Sequence, residues 1–217
     1  MMTATASRML VSFQRLFAGG LAFGAPIAVL AHHAHDYAPP ENTWQAFASG
    51  LAHPFLSGPH LVALLALGML AAAPGLGART LLAFCAGSVL TALAFAAGAT
   101  GWPAHDLWVA ASLALAAAWL WRGQEAAGPS RLGALLVVSV AGSVHGQIAA
   151  ESIEAVNAMM LFAYWSGIVL VQLALGGLAM AVLRSALAKR EALAGTLRQT
   201  CAALSAGAAC GVLFAFA

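Results

Sequence analysis

The 217-residue chain is 62% hydrophobic and only 7% charged, with a mean hydropathy of +0.89, whereas soluble domains carry roughly 25% charged residues. These values exclude an ordinary soluble domain and specify an all-α integral membrane protein, surrounded by the lipid bilayer, with length for about six or seven spans of roughly 20 residues. The net charge of +2 comes from basic residues dispersed among helix ends, not gathered into a stripe, and this excludes nucleic acid as a partner.

In chain order, residues 1–31 have the form of a signal peptide: Arg8 and Arg15 frame the start of an apolar run over 16–30, and small residues precede a cleavage point after Ala31. An uncleaved first helix over 10–31 is the alternative reading, because that stretch nearly spans a bilayer. Both readings put residues 32–45 outside the cytoplasm, as a polar leader carrying His32, His33, His35, Asp36, Pro39, Pro40 and Glu41 before Trp44 anchors at the interface.

Residues 46–217 then read as a six-helix transmembrane domain, with spans at 46–73, 80–99, 107–121, 132–150, 155–183 and 197–217. Pro54, Gly58 and Pro59 predict that the first mature span is broken, since proline removes a backbone donor and clashes with the preceding turn. The connecting segments are 100–106, 122–131, 151–154 and 184–196. Lys and Arg beyond the signal (Arg79, Arg122, Arg131, Arg184, Lys189, Arg190, Arg198) fall in alternate loops, while Asp36, Glu41, Asp106, Glu151 and Glu154 fall in the others. By the positive-inside rule this predicts a multi-pass protein of a bacterial-type inner membrane with both mature termini extracytoplasmic.

On that topology all seven histidines lie in the outer half or near mid-membrane. Imidazoles at membrane depth mark polar sites. His53 and His60 are seven residues apart, two turns on a regular helix and roughly 10 Å in depth, unless the proline break brings them together. His145 lies on the fourth span, followed by Gly146 and Gln147 and close to the outer carboxylates Glu151 and Glu154. The candidate metal ligands are therefore His53, His60 and His145, with His32, His33 and His35 as a collecting tail. Ser57, Gln147 and Glu151 are candidate cavity-lining residues. Each buried histidine also has a plain alternative role, a hydrogen bond to a carbonyl of a neighbouring helix. Imidazole suits nickel, cobalt, copper and zinc without choosing among them. His105-Asp106 reads first as a solvated loop pair and second as part of the same mouth. Cys85, Cys201 and Cys210 read as packing residues without a disulfide. The first and fourth spans run oppositely and both carry histidine, as the halves of an inverted repeat would.

No phosphate-binding glycine loop, no His-Glu-x-x-His pair and no histidine on the last two spans is present, so the reading is of a protein that is not an enzyme. The stretch Gly50-Leu51-Ala52-His53-Pro54-Phe55-Leu56-Ser57-Gly58-Pro59-His60-Leu61-Val62-Ala63-Leu64 resembles the signature His-Pro-x-x-Gly-x-Asp-His-x-x-x-Met of the HupE/UreJ family of hydrogenase and urease accessory membrane proteins. His145-Gly146 stands where that family has a His-Gly-x-x-His-Gly run. Ser57, Pro59 and Leu64 replace the glycine, aspartate and methionine of the first motif, and Ala149 and Ala150 the second histidine and glycine of the other. The resemblance implies a six-helix permease or accessory protein for nickel or a related divalent metal. Two other readings stand beside uptake or handling of a transition-metal ion: a non-transporting structural or accessory subunit with partner membrane subunits, and a small haem-binding protein using His145 with His53 or His60 as axial ligands.

Overall fold

The structure is a computed structural model, and it describes residues 39–122, 130–153 and 157–215. The signal segment, the histidines at 32, 33 and 35, and Glu154 lie outside the described residues. Among those described there are seven α-helices and no strand: α1 (Thr43–Leu56), α2 (Gly58–Ala71), α3 (Ala78–Ala96), α4 (His105–Arg122), α5 (Arg131–Glu151), α6 (Ala158–Lys189) and α7 (Glu191–Phe214).

Local chemistry sets the boundaries. Asn42, Ser130 and Asn157 cap α1, α5 and α6 by accepting from the backbone N–H three residues on, satisfying one of the donors each helix start leaves open. Pro54 is accommodated inside α1, and the chain breaks at Ser57, whose backbone is extended, with Pro59 in the opening turn of α2. There proline's missing N–H costs nothing. α1 and α2 are bent by 82°. Gly75, Gly77 and Gly98 take positive φ angles in the turns after α2 and α3, a region open to glycine.

Among the described helices, α3, α5, α6 and α7 are each long and apolar enough to cross a membrane, and the bent α1–α2 pair qualifies as a fifth candidate. α4 is not among them, because His105, Asp106 and Arg122 lie within its 18 residues and dilute its apolar run. The segment 184–196, expected as a loop, is helical on both sides of a single break at Arg190. α6 thus reaches 32 residues, roughly 48 Å at 1.5 Å per residue, and its lysine- and arginine-bearing end projects past the apolar stretch.

The closest helix pairs are α3 with α5, α4 with α7, and α1 with α6, and α2 is packed against α3, α4, α6 and α7. Small residues permit these approaches. A Cβ at Gly50 would strike the Tyr164 carbonyl, one at Gly167 the Phe47 carbonyl, one at Gly87 the Ser139 carbonyl and one at Gly142 the Phe84 carbonyl. Glycine here lets backbones touch, the usual means of seating helices against each other in lipid, where no hydrophobic effect drives them together. Leu82, Leu90, Leu93, Leu115, Leu136, Phe162, Leu170 and Leu178 point outward, as lipid-facing residues do.

Candidate functional site

The break at Ser57 folds α2 back so that the two histidines meet. The His53 and His60 ring centroids are 5.1 Å apart, and His60 and His145 are 4.8 Å apart, both edge to face. Three imidazoles from α1, α2 and α5 thus form one continuous row, each less than a tenth exposed. Burial of three such groups is tolerable only because partners replace the lost water.

The partners also fix the ring tautomers. His60 Nε2–H donates to the His145 carbonyl at 3.2 Å, so Nδ1 accepts from the Ser57 hydroxyl at 2.6 Å. Tyr164 donates its O–H to the Ala149 carbonyl at 3.0 Å and therefore accepts from His53 Nδ1–H at 3.2 Å, leaving Nε2 as the lone-pair nitrogen of His53. Ser112 donates to the Val109 carbonyl at 2.8 Å and accepts from His145 Nε2–H at 3.1 Å. His145 Nδ1 then carries a lone pair, buried and with no hydrogen-bond partner. All three rings are neutral in this arrangement; the Nδ1 lone pair of His60 is taken up by Ser57, and that of His145 has no hydrogen-bond partner.

One end of the bundle adds charge to this row. His105 Nε2 lies 3.3 Å from Asp106 and 3.7 Å from Glu151. Gln147, almost fully buried, donates to Glu151 at 2.8 Å and accepts from the Trp102 backbone N–H at 2.7 Å. Gln147 and Glu151 therefore join the start of α4 to the end of α5, two residues from His145. Arg184 sits at the opposite end of the molecule, where it donates to the Ala71 carbonyl at the end of α2.

Sequence reasoning singled out His53, His60, His145, Ser57, Gln147 and Glu151; the structure joins Ser57 to the histidine row and Gln147 to Glu151, two clusters related through the backbone of α5. It missed Tyr164, Ser112, Ser88 and Gln172. Tyr164 is one of only two tyrosines in the chain, and Ser112 is the one hydroxyl within the apolar run 107–120 of α4; both were visible signals. Ser88 bridges to the Gly142 carbonyl and receives Gln172, tying α3, α5 and α6 together beside the histidines. Cys85 and Cys201 are buried free thiols and Cys210 is partly buried, as packing residues. Among the described residues, no group of three or more His, Cys, Asp or Glu side chains is arranged to hold a metal ion. The three imidazoles stand in series and do not converge on one point.

An all-helical membrane protein with a buried histidine row is the class these features define. The HupE / UreJ protein family model matches residues 21–213, nearly the whole chain, and the chain belongs to that family. No curated protein and no solved structure matches the chain.

Proposed function

We propose that the protein takes up or handles a transition-metal ion, nickel or a related divalent metal, from the extracytoplasmic side of a bacterial-type inner membrane. Family membership supports an accessory or permease-like role. The observation that carries the residue-level reading is the row His53, His60, His145, each ring with a lone-pair nitrogen and in contact with the next. Soft-to-borderline divalent ions favour imidazole, and stations in series suit passage better than storage.

In this reading α1–α2 and α4 complete six spans, and the leader histidines His32, His33 and His35 gather the ion outside. Glu151, with Asp106 and His105, supplies the anionic charge that Pro59 no longer provides in the first motif. Neutral imidazoles alone leave a divalent charge uncompensated in a low-dielectric interior, so a charged mouth followed by a neutral row separates capture from passage. Gln147 belongs to the mouth, through Glu151, and Ser57 to the row, through His60. Ser57 must turn its hydroxyl aside for His60 Nδ1 to meet the ion.

The test is metal content after mild purification, together with cellular uptake of nickel, cobalt, copper and zinc, for the parent chain and for His53→Ala/His60→Ala. The expected result is loss of one metal from both readouts, and unchanged content and uptake would sink the proposal. A second reading, a non-transporting subunit of a membrane complex, is favoured by the fact that both nitrogens of His60 already have protein partners. Stoichiometric copurifying chains and metal-independent folding are its signature.

A further inference from the structure

Among the described residues, two of the tightest glycine-mediated helix contacts repeat one another. In the α1·α6 pair, Gly50 lies on the Tyr164 carbonyl, and Gly167 lies between the Phe47 carbonyl and the Leu51 N–H. In the α3·α5 pair, Gly142 lies on the Phe84 carbonyl, and Gly87 lies between the Ser139 carbonyl and the Ser143 N–H. The correspondence is by residue: Phe47, Gly50, Leu51 and His53 of α1 match Ser139, Gly142, Ser143 and His145 of α5, while Phe84 and Gly87 of α3 match Tyr164 and Gly167 of α6. Each half therefore carries Gly-x-x-His on one helix and aromatic-x-x-Gly on its partner. Tyr164 faces His53 with ring centroids 6.2 Å apart, and Phe84 faces His145 at 5.7 Å.

The two halves are inverted. α6 begins where α5 ends, since Tyr164 bonds the Ala149 carbonyl, so those helices are antiparallel. α1–α2 runs in the direction of α6, because Gly50 lies against Tyr164 and Gly68 against Gly176 further along. α3 runs with α5, as Phe84 faces Gly142 and Ser88 faces Gly146. Exchanging α1 with α5 and α3 with α6 thus reverses every direction, the relation seen in inverted-repeat carriers. The remaining close pair, α4·α7, maps onto itself. α2 has no counterpart, and its His60 lies between the two equivalent histidines.

The packing around this core is unequal. α4 lies against α5, while α7 has no comparable packing on α1; α7 lies against α6, while α4 has none on α3. Between α4 and α5, over α2, a cavity of about 230 Å³ opens, lined by Trp108, Ser112 and Leu115 of α4, by Val138 and His145 of α5 and, from α3, by Phe84. Two near-equivalent halves with unequal neighbours have a second arrangement of similar energy, in which the inequality is reversed.

Resting on the metal-handling reading above, we propose that this protein is an alternating-access carrier, in which the α4·α7 pair rocks from α5 and α6 toward α3 and α1 and opens His60 in turn to the two sides of the membrane. The cavity between α4 and α5 leaves that contact loosely packed. The Ser112–His145 bond is broken by that movement, and α7 comes to flank His53 as α4 now flanks His145. Passage of the ion is a ligand exchange along three imidazoles with no redox step. Static scaffolds have no use for such an arrangement, so the inference separates a carrier from both a channel and a structural subunit.

The test is pulsed electron–electron distance measurement in lipid nanodiscs on the full chain with Cys85, Cys201 and Cys210 replaced by alanine. Spin labels go on exposed positions: Leu115 of α4 with Leu90 of α3, and Leu115 with Val140 of α5. Two populations are expected in each pair, with the α4–α3 distance shortening as the α4–α5 distance lengthens, by on the order of 5 Å, about one helical turn. Zinc ion is expected to shift their ratio. A single unchanged distance in both pairs with and without zinc, or both distances changing in the same sense, overturns the carrier. Calorimetric zinc titration of the same samples separates the readings. Zinc bound with fixed distances leaves metal handling standing and removes alternating access; two populations with no zinc bound keep the rocking motion and remove the metal.

Discussion

The His53 half and the His145 half are built on the same glycine contact and differ in what holds the imidazole. His53 is held from inside its own helix pair by Tyr164. His145 faces Phe84, which has no hydroxyl, and its hydrogen bond goes to Ser112 on α4, outside the pair. The imidazole bond of the first half comes from within its pair, although Tyr164 also reaches the Ala149 carbonyl of α5; that of the second comes from the neighbouring α4. A single oxygen atom, present in Tyr164 and absent from Phe84, separates the two facing aromatics, and the His145 bond is made by α4 instead. That dependence is how a local substitution in a symmetric frame acquires a global consequence: the half lacking its own donor or acceptor reports the position of a separate element.

Breaking the frame itself carries the largest expected effect. Gly50→Val and Gly142→Val each drive side-chain carbon into a backbone carbonyl of the facing helix, which no rotamer relieves. Each should destabilise by about 1–3 kcal/mol or more, read as a lowered thermal midpoint in detergent. The comparison predicts similar losses at the two sites; a large loss at one and none at the other would mean that the two contacts are not equivalent. Gly177→Ala is the control, because open space surrounds that Cβ position, and it should be neutral or stabilise the helix by about 0.5–1 kcal/mol.

Removing the oxygen that distinguishes the halves comes next. Tyr164→Phe deletes the bonds to His53 and the Ala149 carbonyl together. Polar bonds between membrane helices average about 0.6 kcal/mol each, so a loss near 1 kcal/mol is expected. Ser112→Ala removes one bond to His145 and should cost about 0.6 kcal/mol. Its more telling readout is the α4–α5 distance distribution, which should shift toward the α3 side once that tie is cut. A distribution identical to the parent's would mean that Ser112 does not hold α4 in place.

Much of the frame could be read in the sequence, for physical reasons. Apolar runs set the helices, and Pro54, Gly58 and Pro59 announced the bend, because a missing N–H disrupts a helix wherever it occurs. The turn after Arg184 was misjudged, since Leu187, Ala192 and Leu193 favour helix even among charges and only Arg190 leaves it. His53, His60 and His145 were found as single residues, yet their contact depends on an 82° bend that local signals place without fixing its angle. Tyr164 and Ser112 stand out in the sequence as isolated hydroxyls on apolar runs, but nothing in their spacing ties either of them to a particular histidine. The inverted repeat was suspected from two histidines on opposed spans. Its evidence lies in the spacings Gly50 to His53 and Gly142 to His145, which gain meaning only when the facing aromatic and glycine of the partner helix are known.

The finest test of the comparison restores the missing oxygen. Phe84 occupies in its half the place Tyr164 occupies in the other, and the nitrogen that Tyr164 serves on His53, Nδ1, corresponds to the His145 atom that is buried without a partner. Phe84→Tyr adds a hydroxyl on the wall of a cavity that has room for it. If the two halves are equivalent in fact, that hydroxyl reaches His145 Nδ1 and donates to its lone pair. The substitution should then be neutral or stabilise by about 0.6 kcal/mol, where an unmatched buried hydroxyl costs about 1–3 kcal/mol. Zinc affinity should fall at the same time, because the nitrogen left for the ion is now occupied. Thermal unfolding and zinc titration on this one variant therefore move in opposite directions under the repeat, and a destabilised variant with parental zinc affinity would show that Phe84 and Tyr164 are not counterparts.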